Sequence, residues 1–168
     1  TACAMHGMEI LAMRPGSDAL IFGAGPTGLV LAQLLMHHGA ARVTVAAPTE
    51  FKLDLARTFG VDETVLVDRH DAPASAMKAR AIAPDGFDVV VDATGAASVS
   101  EQCVPLVKDG GTVLIYGVTR PEDRIQVSPY DIYRREVTIK GSFAQVNSFP
   151  NAIAVLRSTT SSITQQIS

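Results

Sequence analysis

Short, uniformly apolar runs alternate along this chain with longer stretches of helical spacing, and that pattern predicts alternating strands and helices. Residues 19–22 are apolar without polar alternation, as suits a strand buried on both faces of a parallel sheet. Residues 29–36 are apolar almost all round apart from Gln33, which predicts a helix covered by more than one layer, with Gly39 as its left-handed cap. Residues 42–47 read as a second strand. Residues 50–59 read as a helix with Phe51, Leu55 and Phe59 on its apolar face, stopped by Gly60. A third strand at 64–67, an alanine-rich helix at 74–82 closed by Pro84, and a fourth strand at 87–91 follow. Then come a helix at 98–106, a turn at 108–111, a fifth strand at 112–116 and a sixth at 137–140. This alternation predicts an α/β fold: a doubly wound, six-stranded parallel sheet in three layers. Right-handed crossovers give the strand order 3-2-1-4-5-6.

The 168 residues suit one domain, taken here as residues 1–157. Residues 1–15 have helical character but no strand to pair with, and residues 158–168 form a Ser, Thr and Gln tail expected to be disordered. A hydrophobic content of 47% excludes a disordered chain, and a charged content of 18%, below the usual level, points to surface covered by another chain or domain. The net charge of -3 gives no electrostatic reason to expect nucleic acid or an anionic membrane as partner. No apolar run approaches the ~18 residues that span a bilayer, and the first residues lack a charged segment ahead of an apolar one. The expectation is a soluble, cytoplasmic protein. Two cysteines, Cys3 and Cys103, are too few and too far apart for a structural zinc site or a disulfide framework, and read as small buried residues.

The central chemical signal is Gly23, Gly25 and Gly28, in the G-x-G-x-x-G spacing, with Pro26 and Thr27 inside it. Gly23 permits the tight turn out of the first strand, Gly25 lets the backbone approach a pyrophosphate, and Gly28 lets the helix pack close to the strand. Free N–H groups at the helix start, together with the helix dipole, favour the phosphate charge. The pattern alone is weak, but here it follows a buried strand, opens a helix and lies in a βαβ unit of the right length. That context predicts a Rossmann-type dinucleotide site. A glycine turn serving only packing is the bland alternative, and an S-adenosylmethionine site is another. The second half of the sheet, laid out as a full six-stranded dinucleotide fold, argues against the latter.

An NAD site usually carries Asp or Glu at the end of the second strand, roughly 20 residues past the glycines. Here that position is Ala47. Without the carboxylate a 2′-phosphate meets less repulsion; Thr49 could donate a hydrogen bond to it and Lys52 could supply charge, unless Lys52 is a plain solvated residue. Glu50 lies nearby and could oppose the phosphate or reach the ribose itself. The balance favours NADP over NAD. Ligands on open sheets sit at the carboxyl ends of strands, which places Ala93, Thr94 and Gly95 after the fourth strand, and Gly117 and Val118 after the fifth, beside the cofactor. Gly95 and Gly117 could instead be turn glycines only.

A dehydrogenase also needs a group that polarises the alcohol and takes its proton. His6, His37, His38 and His70 have no partners at metal-ligand spacing, His37 and His38 close a helix, and Tyr130 and Tyr133 lack a Tyr-x-x-x-Lys arrangement. No catalytic residue and no metal ligand is assigned.

Together, the glycine motif, the run Phe87 to Gly95, the stretch Gly110 to Val113 and the stretch Val137 to Phe143 resemble, in order and spacing, the medium-chain zinc-dependent alcohol dehydrogenases. The resemblance runs from about Ala2 to Arg157 and is nearest the polyol branch (sorbitol, xylitol, arabinitol), with threonine dehydrogenase next. It implies a cofactor domain whose zinc ligands come from an N-terminal domain, the Gly-His-Glu zinc motif being absent from this sequence. It also implies pyrophosphate contacts at Pro26 and Thr27, ribose-side positions at Ala47 and Lys52, and nicotinamide-side positions at Thr94, Gly117, Val118 and Phe143. Such enzymes dimerise through an edge strand, for which Arg124, Ile125, Gln126 and Val127 are the candidate here. The expected activity is hydride transfer between a secondary alcohol or polyol and nicotinamide, the chain alone being inactive. A stand-alone NADP(H)-binding or sensor module and a zinc-free quinone reductase relative are the alternatives.

Overall fold

Six strands lie side by side in one parallel sheet: β1 (Asp18–Phe22), β2 (Arg42–Ala47), β3 (Glu63–Leu66), β4 (Phe87–Asp92), β5 (Val107–Ile115) and β6 (Thr138–Gly141). Their order is β3-β2-β1-β4-β5-β6, as expected from right-handed crossovers, in a computed structural model that describes residues 2–144, 149–155 and 157. The register sets Ile21 opposite Val45 on one side and Val91 on the other. The expected tail at 158–168 lies outside the described residues.

Alternation along the strands builds two cores, one on each face of the sheet. Ile21, Val43, Val45, Val89, Val91 and Leu114 pack under α1 (Ala2–Leu11), α2 (Pro26–His37) and α3 (Glu50–Thr58). Leu20, Phe22, Ala46, Val65, Val90 and Val113 pack under α4 (Ala72–Ile82) and α5 (Ala97–Leu106). With both faces covered, the central strands carry no polar alternation. Helix α2 is covered twice, by the sheet and by α1, whose Ala4, Met5, Met8 and Leu11 are buried against it. It ends at Gly39, whose φ of +83 and bond from its amide to the Met36 carbonyl (3.0 Å) form the left-handed close. Lys140 secures the end of α1 by donating to the carbonyls of Ile10 (2.9 Å) and Leu11 (3.1 Å).

Three readings of the sequence are corrected, and one short helix that it left out is added. The face of α3 turned to the sheet is Leu53 and Ala56, both fully buried, while Phe51, Leu55 and Phe59 point outward. A small alanine lets the helix sit close to the sheet, whereas an aromatic face would hold it off. Residues 108–111 are not a turn but part of β5, which starts at Val107 and shifts register against β4 between Phe87 and Val89. A short helix, α6 (Pro129–Arg135), precedes β6, with the Ser128 hydroxyl accepting from the Asp131 amide. The run from Arg124 to Val127 is not a strand in this chain; the Gln126 amide donates to the Glu101 carboxylate instead of to a neighbouring backbone.

Candidate functional site

The strand order reverses at β1, whose neighbours β2 and β4 are reached by connections that run in opposite directions. At the carboxyl ends of β1 to β4 this opens a cleft of about 420 Å³. Its walls include Gly23, Ala24 and Gly25 after β1, Ala46, Ala47 and Pro48 at the end of β2, and Lys52 on α3. The far wall is Ala93, Thr94 and Ala96 after β4, with Ser98, Val99 and Gln102 on α5.

The three motif glycines are glycine for three different reasons. Gly23 has φ +110, and a Cβ there would come within 2.9 Å of the Ala93 carbonyl oxygen. Gly28 is buried, and a Cβ would come within 2.0 Å of the Gly23 carbonyl oxygen. Gly25 is different: its φ is -74, open to any residue, and a Cβ there would meet nothing within 4 Å. Neither conformation nor packing within the chain requires glycine at position 25. Gly25 is also the N-cap of α2 and offers no side-chain cap, and Pro26 at the first helical position has no N–H. The amides that open α2, next to the cleft wall at Gly25, therefore have no side-chain cap. Pro26 and Thr27 are exposed on that first turn, outside the cleft walls.

Past the end of β2, Thr49 is the N-cap of α3 but makes no side-chain cap bond. Lys52 is half-buried and lines the cleft. Glu50 is held by Arg57 at 2.9 Å. Arg42 is bonded to Asp18 at 2.8 Å, at the opposite, amino end of the strands.

The wall after β4 is held by a carboxylate that the sequence reading passed over. Asp92 is fully buried, and its Oδ1 accepts from the Thr94 amide (2.8 Å) and hydroxyl (2.6 Å), while its Oδ2 accepts from the Ser100 hydroxyl. Thr94 Oγ1 in turn accepts from the Ala96 amide at 3.1 Å. The Thr94 hydroxyl thus shapes the loop as well as bordering the cleft. Cys103 lies beneath, its thiol pushed well up by burial and secondarily by the charge of Asp92.

Other expected positions lie apart from the cleft. Gly117 is pressed on the Gly95 loop, where a Cβ would meet the Gly95 nitrogen at 2.1 Å. Gly95 (φ +73) is packed against the Val118 carbonyl. Their smallness serves the contact between the loops after β4 and β5. Val118 and Phe143 are each 85% exposed on the open side beyond that contact. The sequence reading missed Asp68, Arg69, Ala72 and Ser75, which line the cleft from the β3–α4 connection. The carboxyl-end rule applied to strands four and five would have found them if applied to strand three as well.

A larger groove of about 490 Å³ runs between α4, α5 and α6, but it has no glycine cradle and its cations are engaged. Arg135 bonds Asp109 at 2.8 Å, and Arg80 bonds the carbonyls of Pro84 and Pro105. Among the described residues no cluster of three or more His, Cys, Asp or Glu is placed to hold a metal, so a zinc ion does not fit these residues. Nor is any described helix long and apolar enough to cross a membrane.

Fold and cleft together define the class: a Rossmann-type α/β domain with a cleft at its switch point. The chain belongs to the zinc-binding dehydrogenase family, whose sequence profile matches residues 26–158. It is 46% identical over 158 residues to D-arabinitol dehydrogenase 1 of Uromyces fabae, covering 94% of this chain and 45% of that protein. It is 39% identical to D-altritol 5-dehydrogenase of Agrobacterium fabrum, covering 92% of this chain and 45% of that protein. Among solved structures it is similar to a protein of Sinorhizobium meliloti 1021, assigned to the zinc-binding dehydrogenases and bound to NADP, at a TM-score of 0.77 and 33% identity. That match covers 86% of this chain and 42% of the other. The chain therefore spans somewhat under half the length of the relatives it matches.

Proposed function

We propose that this chain holds a nicotinamide dinucleotide, NADP in preference to NAD, for hydride transfer to or from a secondary alcohol or polyol. The observation that carries the reading is Gly25, a glycine that its backbone and its neighbours do not require, facing an open cleft at the start of a helix with no side-chain cap. When bound, the dinucleotide supplies the hydride-carrying ring. This chain's residues supply the rest of the binding. The first turn of α2, with Gly25, Pro26 and Thr27, receives the diphosphate. Ala47, Thr49 and Lys52 face the adenosine ribose. The Ala93–Thr94 loop, held by Asp92, borders the nicotinamide half, with Gly117, Val118 and Phe143 on its open side.

The preference for NADP rests on Ala47, which puts no carboxylate where it would repel a 2′-phosphate, and on Lys52 in the cleft wall. A polyol as substrate rests on the similarity to the arabinitol and altritol dehydrogenases. The described residues include no metal cluster, and on this reading the chain by itself binds cofactor without turning over alcohol. Both cysteines are free thiols, as suits a reducing cytoplasmic setting. Homodimerisation through Arg124 to Val127 belongs to the same reading and requires that run to become a strand on contact; sedimentation of the purified chain reads it out.

Isothermal titration of the purified chain with NADP and NAD tests the proposal. Binding of both, with NADP the tighter, is expected. No heat from either at millimolar ligand overturns it, and tenfold tighter NAD overturns the preference.

A further inference from the structure

The connection after β3 carries a cation that the motif does not contain. Leu66 pairs with Ala47 in the sheet, and the Val67 amide donates to the Ala47 carbonyl at 3.1 Å. Asp68 and Arg69 therefore stand beside the end of β2, where an NAD site would carry its ribose-binding carboxylate. Arg69 lines the cleft on this side, as Lys52 does from α3. It also borders an adjoining recess of about 430 Å³ that shares Pro48, Val67 and Asp68 with the cleft.

Three observations set Arg69 apart from an ordinary surface arginine. First, its loop is built. The Asp68 amide donates to Ser75 Oγ (2.9 Å), Asp68 Oδ1 accepts from the His70 amide (2.8 Å), and Asp71 Oδ1 accepts from the Ala74 amide (2.9 Å). The Asp68 carboxylate is thereby engaged within its own turn. Second, the acid nearest in sequence to the ribose positions, Glu50, is paired with Arg57. Third, the side chains of Lys52 and Arg69 make no hydrogen bond or ion pair among the described residues. Lys78, Lys108 and Lys140 each have a side-chain partner, as do Arg42, Arg57 and Arg80, while Arg14 and Arg134, also without one, are not part of the cleft wall. The ribose end of the cleft thus presents two cations from two separate elements whose side chains are unpaired, beside the single carboxylate of Asp68, whose Oδ1 accepts from the His70 amide. A guanidinium beside an ammonium is a combination suited to a phosphate monoester, the guanidinium giving two parallel N–H bonds.

We infer that Arg69 is a specificity-determining residue of this site, binding the phosphate on the adenosine 2′ oxygen together with Lys52. The inference rests on the reading that the cleft holds a nicotinamide dinucleotide. Isothermal titration of the 168-residue chain and its Arg69→Ala and Arg69→Lys variants separates the two. The probes are NADP and adenosine 2′,5′-bisphosphate, which carry the 2′-phosphate, and NAD and ADP, which do not. Arg69→Ala is expected to weaken the first pair on the order of tenfold or more and the second pair by less than about twofold, with Arg69→Lys recovering part of the loss. Equal weakening of all four ligands, or no change in any, overturns the assignment and leaves the cleft reading standing. Failure of the unmodified chain to bind any of the four overturns the cleft reading, and the role of Arg69 with it.

Discussion

A methyl group on Gly28 would lie 2.0 Å from the carbonyl oxygen of Gly23, so the first turn of α2 rests directly on the turn that leaves β1. Three residues earlier, Gly25 faces open space. The same motif thus contains a glycine that the fold requires and one that it does not, and substitution separates them. Gly28→Ala forces backbone to move and is expected to cost about 1–3 kcal/mol, read as a lower urea midpoint. Gly25→Ala is expected to change stability by less than about 1 kcal/mol and yet weaken dinucleotide binding at least tenfold. Undiminished binding by Gly25→Ala would remove the main support for the site.

Asp92 is the structural counterpart of that pair on the opposite wall. Its carboxylate satisfies the Thr94 amide, the Thr94 hydroxyl and the Ser100 hydroxyl in a fully buried position. Asp92→Ala strands these donors and is expected to lower the unfolding free energy by roughly 3 kcal/mol. Chemical denaturation followed by circular dichroism measures it. A loss below about 1 kcal/mol would mean that water replaces the carboxylate.

Glu136 closes α6 in the left-handed region, at φ +52 and ψ +37. A side chain is strained in that conformation and glycine is not. Glu136→Gly is expected to stabilise the chain by about 0.5–1 kcal/mol after the added freedom of the unfolded chain is offset. A rise in melting temperature checks it; a fall would show that Glu136 contributes a contact worth more than the strain.

The two thiols should react differently. Cys3 is exposed on α1, whereas burial, with the charge of Asp92 second, pushes the Cys103 thiol up. Because the thiolate is the reactive form and Cys103 forms it only above its ordinary range, Cys103 should label slowly in the folded chain. Titration with an aromatic disulfide reagent is expected to show one fast thiol per folded chain and a second only on unfolding. Two fast thiols in the native protein would contradict the burial of Cys103.

Local chemistry was legible along the chain. The run from Ala19 to Phe22 announces a strand covered on both faces, and the spacing of Gly23, Gly25 and Gly28 announces a turn into a helix. Strand order followed too, since right-handed crossovers leave few ways to wind six parallel strands. These features depend on a residue and its near neighbours, or on a handedness common to L-polypeptides.

What escaped the sequence depends on surfaces that only meet in space. The side of α3 that touches the sheet is chosen by how closely Leu53 and Ala56 allow the helix to approach, so its larger apolar residues, Phe51, Leu55 and Phe59, face outward. That Gly117 is also pressed on the Gly95 loop shows only once the loops after β4 and β5 close on each other. Arg69 sits 41 residues beyond Gly28 and becomes part of the same cleft only because β3 pairs with β2 and carries its following loop to the end of that strand. Periodicity reports that an element has an apolar side, and spacing reports a local turn. Which side is covered, and which distant residues share a wall, is settled by packing among elements far apart in the chain.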